Sequence, residues 1–270
     1  MHSLDPAGEA VGTAHFSGRI LNLRDLGGLR TTDGRKVARG RLYRSGTLHD
    51  LTEQDGAALA ALGIRTVLDL RSDWERRSQP CAAPVRVIAA PMVDDRTVMS
   101  IHARFDSATI TSEELEDWWN LTRVFQAPQE HIASLKVVFD TLLAAGPDDA
   151  VLFHCRGGKD RTGLVAAFVL DALGVTWEDI VADFLRSNLP ADDEHMAEHL
   201  APIVAALGPN TLSDEAIASL TSVKPEWLEA LFHEIGDRYG SVSRYLTDHV
   251  GIGAHGLARL RVLYLEGASR

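Results

Sequence analysis

Cysteine is almost absent from this chain: two thiols, Cys81 and Cys155, in 270 residues. Two lone thiols make no disulfide framework and point to a reducing compartment. Basic residues are also few, 27 against 38 acidic ones, for a formal net charge of -11. A surface of that sign repels nucleic acid and anionic membrane, so neither is expected as a stable partner. Long apolar runs are missing. The most apolar stretch, GLVAAFVLDALGV, is interrupted by Asp171 and is too short to cross a bilayer. The opening residues, MHSLDPAGEAVG, carry neither a basic nor an apolar signal region. A soluble, cytoplasmic protein is expected, with export by a route that leaves no signal peptide still open. Repeats, low-complexity tracts and clear linkers are lacking too. The expectation is a loose arm over 1–18, then a single domain over 19–270.

What is present is ordinary globular material, 45% hydrophobic and 24% charged, enough to bury a sizeable core. ILNLRDLGGLRTTDGRKVARGRLYRSG reads as short strands and turns. LTEQDGAALAALG has helical spacing, with Thr52 as N-cap. IRTVLDLRS reads as a buried strand ending near Asp69, and VRVIAAPM as another strand. HIASLKVVFDTLLAAG has clear 3.6 periodicity. AVLFHC reads as a buried strand and TGLVAAFVLDALG as a core helix. In TWEDIVADFLRSN, Thr176 and Asp179 are spaced like a capping box. Strands alternating with helices predict an α/β fold, a mostly parallel sheet flanked by helices. The C-terminal third is helical, and 191–222 pairs an acidic with an apolar face, as a helical lid would.

Because the surface is acidic, each local cluster of cations is informative. The strongest is HCRGGKDRTG, residues 154–163, set between a strand and a helix. Backbone N–H groups in such a loop, with the positive end of the helix, form a concave nest for a tetrahedral dianion. Its cradle is Arg156, Gly157, Gly158 and Lys159. The two glycines leave the approach open and tolerate unusual dihedrals. Arg161 can fork onto two phosphate oxygens. The same field favours a thiolate at Cys155, which is then placed for in-line attack on phosphorus. His154 would hold the nucleophile's geometry, and the Thr162 hydroxyl could bond the sulfur. Rival readings fail on spacing. An ATP-binding loop needs Ser or Thr after the lysine, where Asp160 stands. A zinc site needs a second ligand pair.

HCRGGKDRTG resembles the Cys-x5-Arg signature of protein tyrosine phosphatases, and its GKDRTG ending that of the bacterial tyrosine/serine phosphatases. NLRDLGG, GRLYRSG, TVLDLRSDWE, VADFLRSN and PEWLEALFHEIGDRYGSVSRYL are similar to blocks of that family, in its order. The resemblance implies a tyrosine-phosphatase-like fold with a helical lid. It also implies phosphomonoester hydrolysis without metal or other cofactor, on phosphorylated protein or a small phosphomonoester. Lys159 would be a second cation for a doubly phosphorylated ring, or would pair with a nearby carboxylate. Breaking an aryl ester needs an acid near the leaving oxygen. No Trp-Pro-Asp triplet is present. Asp94, in APMVDD, falls where the family places its acid, and Asp160 inside the loop is the rival. A dedicated small-molecule phosphatase and a non-catalytic phosphate-binding module stay open as alternatives.

Other residues carry weaker signals. Arg24 and Asp25 either buttress the loop or hold a turn. Arg44 and Ser45, like the pair Asp69 and Arg71, read as structural. Cys81 reads as incidental, with a reversible disulfide to Cys155 as the alternative. Trp118 and Trp119 read as packing, and His195 and His199 as a solvated helix face. Nothing in the sequence fixes the oligomeric state.

Overall fold

The structure is a computed structural model, and it describes residues 20–107, 110–116, 124–188 and 214–266. The arm at 1–18, the segment 191–213 of the expected lid, Trp118, Trp119, His195 and His199 lie outside the described residues.

Five strands form the central sheet: β1 (Arg24–Asp25), β3 (Leu42–Ser45), β4 (Ile64–Asp69), β5 (Arg86–Ala89) and β6 (Ala150–His154). Their order is β1-β3-β6-β4-β5. Only the β1/β3 pair is antiparallel. The short β2 (Lys36–Val37) pairs with β7 (Leu265–Glu266) in a separate two-stranded sheet. The expected mostly parallel sheet is therefore present. AVLFH is buried at every position because β6 has neighbours on both edges and layers on both faces.

Helices α1 (Glu53–Ala61), α2 (Asp73–Ser78), α3 (Asp95–Asp106), α4 (Ser112–Glu116) and α5 (Ile132–Ala144) precede β6. Then follow α6 (Asp160–Leu173), α7 (Trp177–Leu185), α8 (Asp214–Thr221), α9 (Pro225–Tyr239), α10 (Val242–Arg244) and α11 (Gly253–Tyr264). Alternation along β6 sorts the core. Val151, Phe153 and Cys155 join the large cluster that contains α6 residues such as Leu164 and Phe168. Ala150 and Leu152 join a smaller cluster with Leu59 of α1. Apolar residues all round α6 are explained by its place between the sheet and α9 and α11, and almost all its side chains are buried.

Thr52 caps α1 in a full capping box with Asp55. At α7 the expected box is half made. Thr176 accepts from the Asp179 N–H, but the Asp179 carboxylate accepts from the Arg30 N–H instead. A long-range partner has taken the group that a local rule assigned to the cap.

The register brings the strand ends together. Ser45 and Asp69 both lie opposite His154, at the carboxyl ends of three parallel strands. The loop after His154 therefore opens at the crevice where α/β sheets place their sites.

Candidate active site

Residues 155–159 link β6 to α6, and the loop is oriented from outside by its carbonyl groups. The Arg156 carbonyl accepts from the Thr47 N–H at 2.9 Å. The Gly157 carbonyl accepts from Asn22 Nδ2 at 2.8 Å, and the Gly158 carbonyl from Arg44 at 2.8 Å. In a trans peptide the N–H points opposite to the C=O. Holding those three carbonyls outward turns the N–H groups of Gly157, Gly158 and Lys159 inward. Among the described residues no backbone acceptor takes the N–H groups of 156–159. They form a nest of donors, continued by the start of α6.

Gly158 is required by both conformation and space. Its φ is +67°, and a Cβ there would stand 2.5 Å from the Gly46 nitrogen. Gly158→Ala should therefore displace the loop from the end of β3. The expected result is a lower melting temperature and a loss of about 100-fold or more in turnover. A thermal melt and a phosphate-release assay check it.

Cys155 sits buried at the base of the loop. Arg161, in the first turn of α6, is clamped by a carboxylate that the sequence did not single out. Glu75 of α2 accepts from both terminal nitrogens, at 2.6 and 2.9 Å. Burial pushes the Glu75 carboxyl up, but Arg161 overrides it and holds the group at about 2. Burial likewise works against the Arg161 charge, yet Glu75 and the nearby Cys155 hold its pKa above the usual arginine range. Glu75 is itself fixed, because its Oε2 accepts from the Ser72 N–H at 2.9 Å. Its traces in the sequence were its place in TVLDLRSDWE and the capping-box spacing from Ser72, a box the structure shows complete.

Behind the loop lies a buried charge network. Asp183 of α7 accepts from Arg24 at 2.7 Å and from Arg44 at 2.5 Å. Both arginines also donate to Ser187 Oγ. Burial alone would raise the Asp183 pKa, and the two guanidinium groups bring it well below the usual carboxylate range. Burial, with Arg24 close by, lowers Arg44 to about 10, which still leaves it charged at neutral pH. Arg24 thus lies behind the loop. Asp25 does not share that place: its carboxylate accepts from the Gly27 and Gly40 N–H groups and shapes a turn.

The remaining expected site residues fall as follows. His154 is buried, with Nδ1 3.0 Å from the Cys155 carbonyl oxygen and Nε2 3.5 Å from Asp69. Burial lowers its pKa to about 4, so it is neutral at physiological pH. Asp69 is paired with Arg71 through both oxygens. Thr162 Oγ1 is buried, with no hydrogen-bond partner among the described residues. Lys159 turns away from the nest: its Nζ donates to the Ser222 carbonyl at 2.8 Å and lies 3.3 Å from Asp160 Oδ1. Arg156 is half-buried, its NH1 3.3 Å from His102 Nε2 on α3. Asp94 is exposed and caps α3 by accepting from the Thr97 N–H at 2.7 Å. That hydrogen bond lowers its pKa and favours the ionised form. Cys81 packs against the α1-side cluster while Cys155 belongs to the opposite face, so the two sit on different sides of the sheet.

A thiol, a clamped guanidinium and a ring of inward N–H groups make a site for a tetrahedral oxyanion beside a nucleophile. Comparison with known proteins gives the family. A provisionally named tyrosine-protein phosphatase of Cupriavidus necator is 32% identical over 250 residues, covering 92% of this chain and 87% of its own. Triple specificity protein phosphatase PtpB of Mycobacterium tuberculosis is 34% identical over 280 aligned positions, covering 90% and 96%. The model of the tyrosine phosphatase family matches residues 17–266, and the chain belongs to that family.

Proposed function

We propose that this enzyme hydrolyses phosphomonoesters through a phosphocysteine, within one catalytic domain spanning 19–270. The observation that carries the reading is Cys155 and Arg161 at the two ends of a loop whose Arg156, Gly157 and Gly158 carbonyls are tied outward. The N–H groups and Arg161 bind the three non-bridging oxygens. The Cys155 thiolate attacks phosphorus in line, the P–O ester bond breaks, and the leaving oxygen takes a proton from a carboxylic acid. Water then attacks phosphorus and gives its proton to the carboxylate, the P–S bond breaks, and inorganic phosphate leaves with the thiolate restored. The charges needed are all side-chain and backbone groups, so turnover is expected to survive EDTA.

Asp160 is the better acid. It stands in the first turn of α6, directly beside the loop. Asp94 is exposed at the start of α3, with one oxygen committed to capping that helix. The substrate class is proposed as phosphotyrosine protein, with phosphoserine and phosphothreonine as further substrates. Lys159 is spent on Ser222 and Asp160, which weighs against a second-phosphate role for it in phosphoinositide binding.

The test is phosphate release in EDTA from phosphotyrosine peptide, phosphoserine peptide, p-nitrophenyl phosphate and a phosphoinositide. The phenolate of tyrosine, pKa about 10, needs its proton most. Asp160→Asn should lose about 10²- to 10⁴-fold on phosphotyrosine peptide and less on p-nitrophenyl phosphate. Asp94→Asn should change both less than Asp160→Asn does. If Asp94→Asn alone shows the leaving-group dependence, the acid is Asp94. If wild type binds phosphopeptide without releasing phosphate, the site is a binding module.

A further inference from the structure

The nest depends on carbonyls being held outward, and two of the three holding bonds converge on one carboxylate. From Gly157 the path runs to Asn22 Nδ2, and Asn22 is gripped in turn by Arg24 through its backbone oxygen at 3.2 Å and its Oδ1 at 3.3 Å. Arg24 Nε donates to Asp183 Oδ1 at 2.7 Å, and its NH2 to the Asp183 carbonyl at 2.9 Å. From Gly158 the path is shorter: Arg44 donates to that carbonyl and to Asp183 Oδ2. Arg44 also reaches the Lys159 carbonyl at 3.4 Å. One carboxylate thus uses one oxygen for each arm.

We propose that Asp183 is a positioning residue for the phosphate nest, aiming the N–H groups of Gly158 and Lys159 through Arg24–Asn22 and through Arg44. The proposal rests on the phosphatase reading of the nest. Charge adds to the geometry. Arg24, Arg44 and Asp183 are all nearly fully buried, and two cations face one anion. The surplus positive charge lies directly behind the donors, where it favours a dianion in front of them. Asn22 carries a further sign of positioning. It is one of two non-glycine residues with positive φ among the described residues, at +56°, and its strained backbone aims the side chain at Gly157.

That strain supplies a test that separates positioning from folding. In Asn22→Gly the backbone conformation is relieved and the Arg24 bond to the backbone oxygen is kept. The side-chain grip on Gly157 is lost, and with it the Arg24 contact to Oδ1. The expected result is an unchanged or higher melting temperature, with about a tenfold loss both in kcat/KM and in affinity for vanadate. Asp183→Asn should lose more, and the double variant no more than Asp183→Asn alone, because both act through one path. Should Asp183→Asn fail to fold, Ser187→Ala, which removes only the neutral hydroxyl between the two arginines, replaces it in the cycle. Wild-type kinetics and vanadate affinity in Asn22→Gly would overturn the proposal, as would fully additive losses. Vanadate binding reads the nest even if wild type releases no phosphate, so failure of the positioning idea and failure of the phosphatase reading are distinguishable.

Discussion

Cys155→Ser should fold as wild type does and lose about 10⁴-fold or more of its turnover. The change is nearly isosteric at a buried position, so packing is kept. What is lost is ionisability. A thiol can ionise without a partner base, but an alcohol needs an adjacent base to become a nucleophile. His154 is not that base, because its Nδ1 is engaged with the Cys155 carbonyl oxygen and its Nε2 faces Asp69. The nest is untouched, so phosphotyrosine peptide should still bind. Calorimetry on the variant checks binding, and phosphate release checks turnover. Near wild-type turnover would remove the thiolate from the mechanism.

The second large effect is expected at the clamp. Arg161→Lys should cost about 10³-fold in kcat/KM, because an ammonium is a point charge and cannot span Glu75 and two phosphate oxygens. Glu75→Gln keeps Arg161 but removes the bidentate acceptor that orients it. A loss of about 10- to 100-fold is expected, as for a misplaced catalytic group. The same pair predicts a pH effect on stability. The Glu75 carboxyl is depressed from its ordinary 4.5 to about 2 in the folded protein. A depressed carboxyl stabilises the fold above its unfolded pKa, and that stability is lost as pH falls through the folded one. Wild type should lose this contribution between about 4.5 and about 2. Glu75→Gln should flatten this part of the acid limb, which a series of thermal melts across that window would read.

Residues that act through neighbours in sequence were legible, and residues that act through distant partners were not. HCRGGKDRTG could be placed between a strand and a helix because its geometry is local. The N-cap at Thr52 and the core character of α6 followed from spacing alone. Glu75, by contrast, is 86 positions from Arg161, and Asp183 is 139 from Arg44. Each sits inside a block similar to the family's, but nothing in a single sequence pairs one block with another. Lys159 was open to a substrate contact or a carboxylate pair, and its Nζ lies 3.3 Å from Asp160 Oδ1. A lysine in a phosphate loop suggests a substrate contact, yet its nitrogen is taken by a carbonyl 63 residues away. Asp94 follows β5 in the chain and also stands immediately before α3. Capping α3 claimed the carboxylate.

The central claim is that phosphorus passes through the Cys155 sulfur. The most direct measurement is rapid acid quench during turnover of a phosphotyrosine peptide, followed by mass spectrometry of the digested enzyme. One phosphoryl group is expected on the peptide containing Cys155, appearing within the first turnover and absent from Cys155→Ser. Full turnover with no phosphoryl group on that peptide at any quench time, in an enzyme whose Cys155→Ser variant stays active, would contradict it.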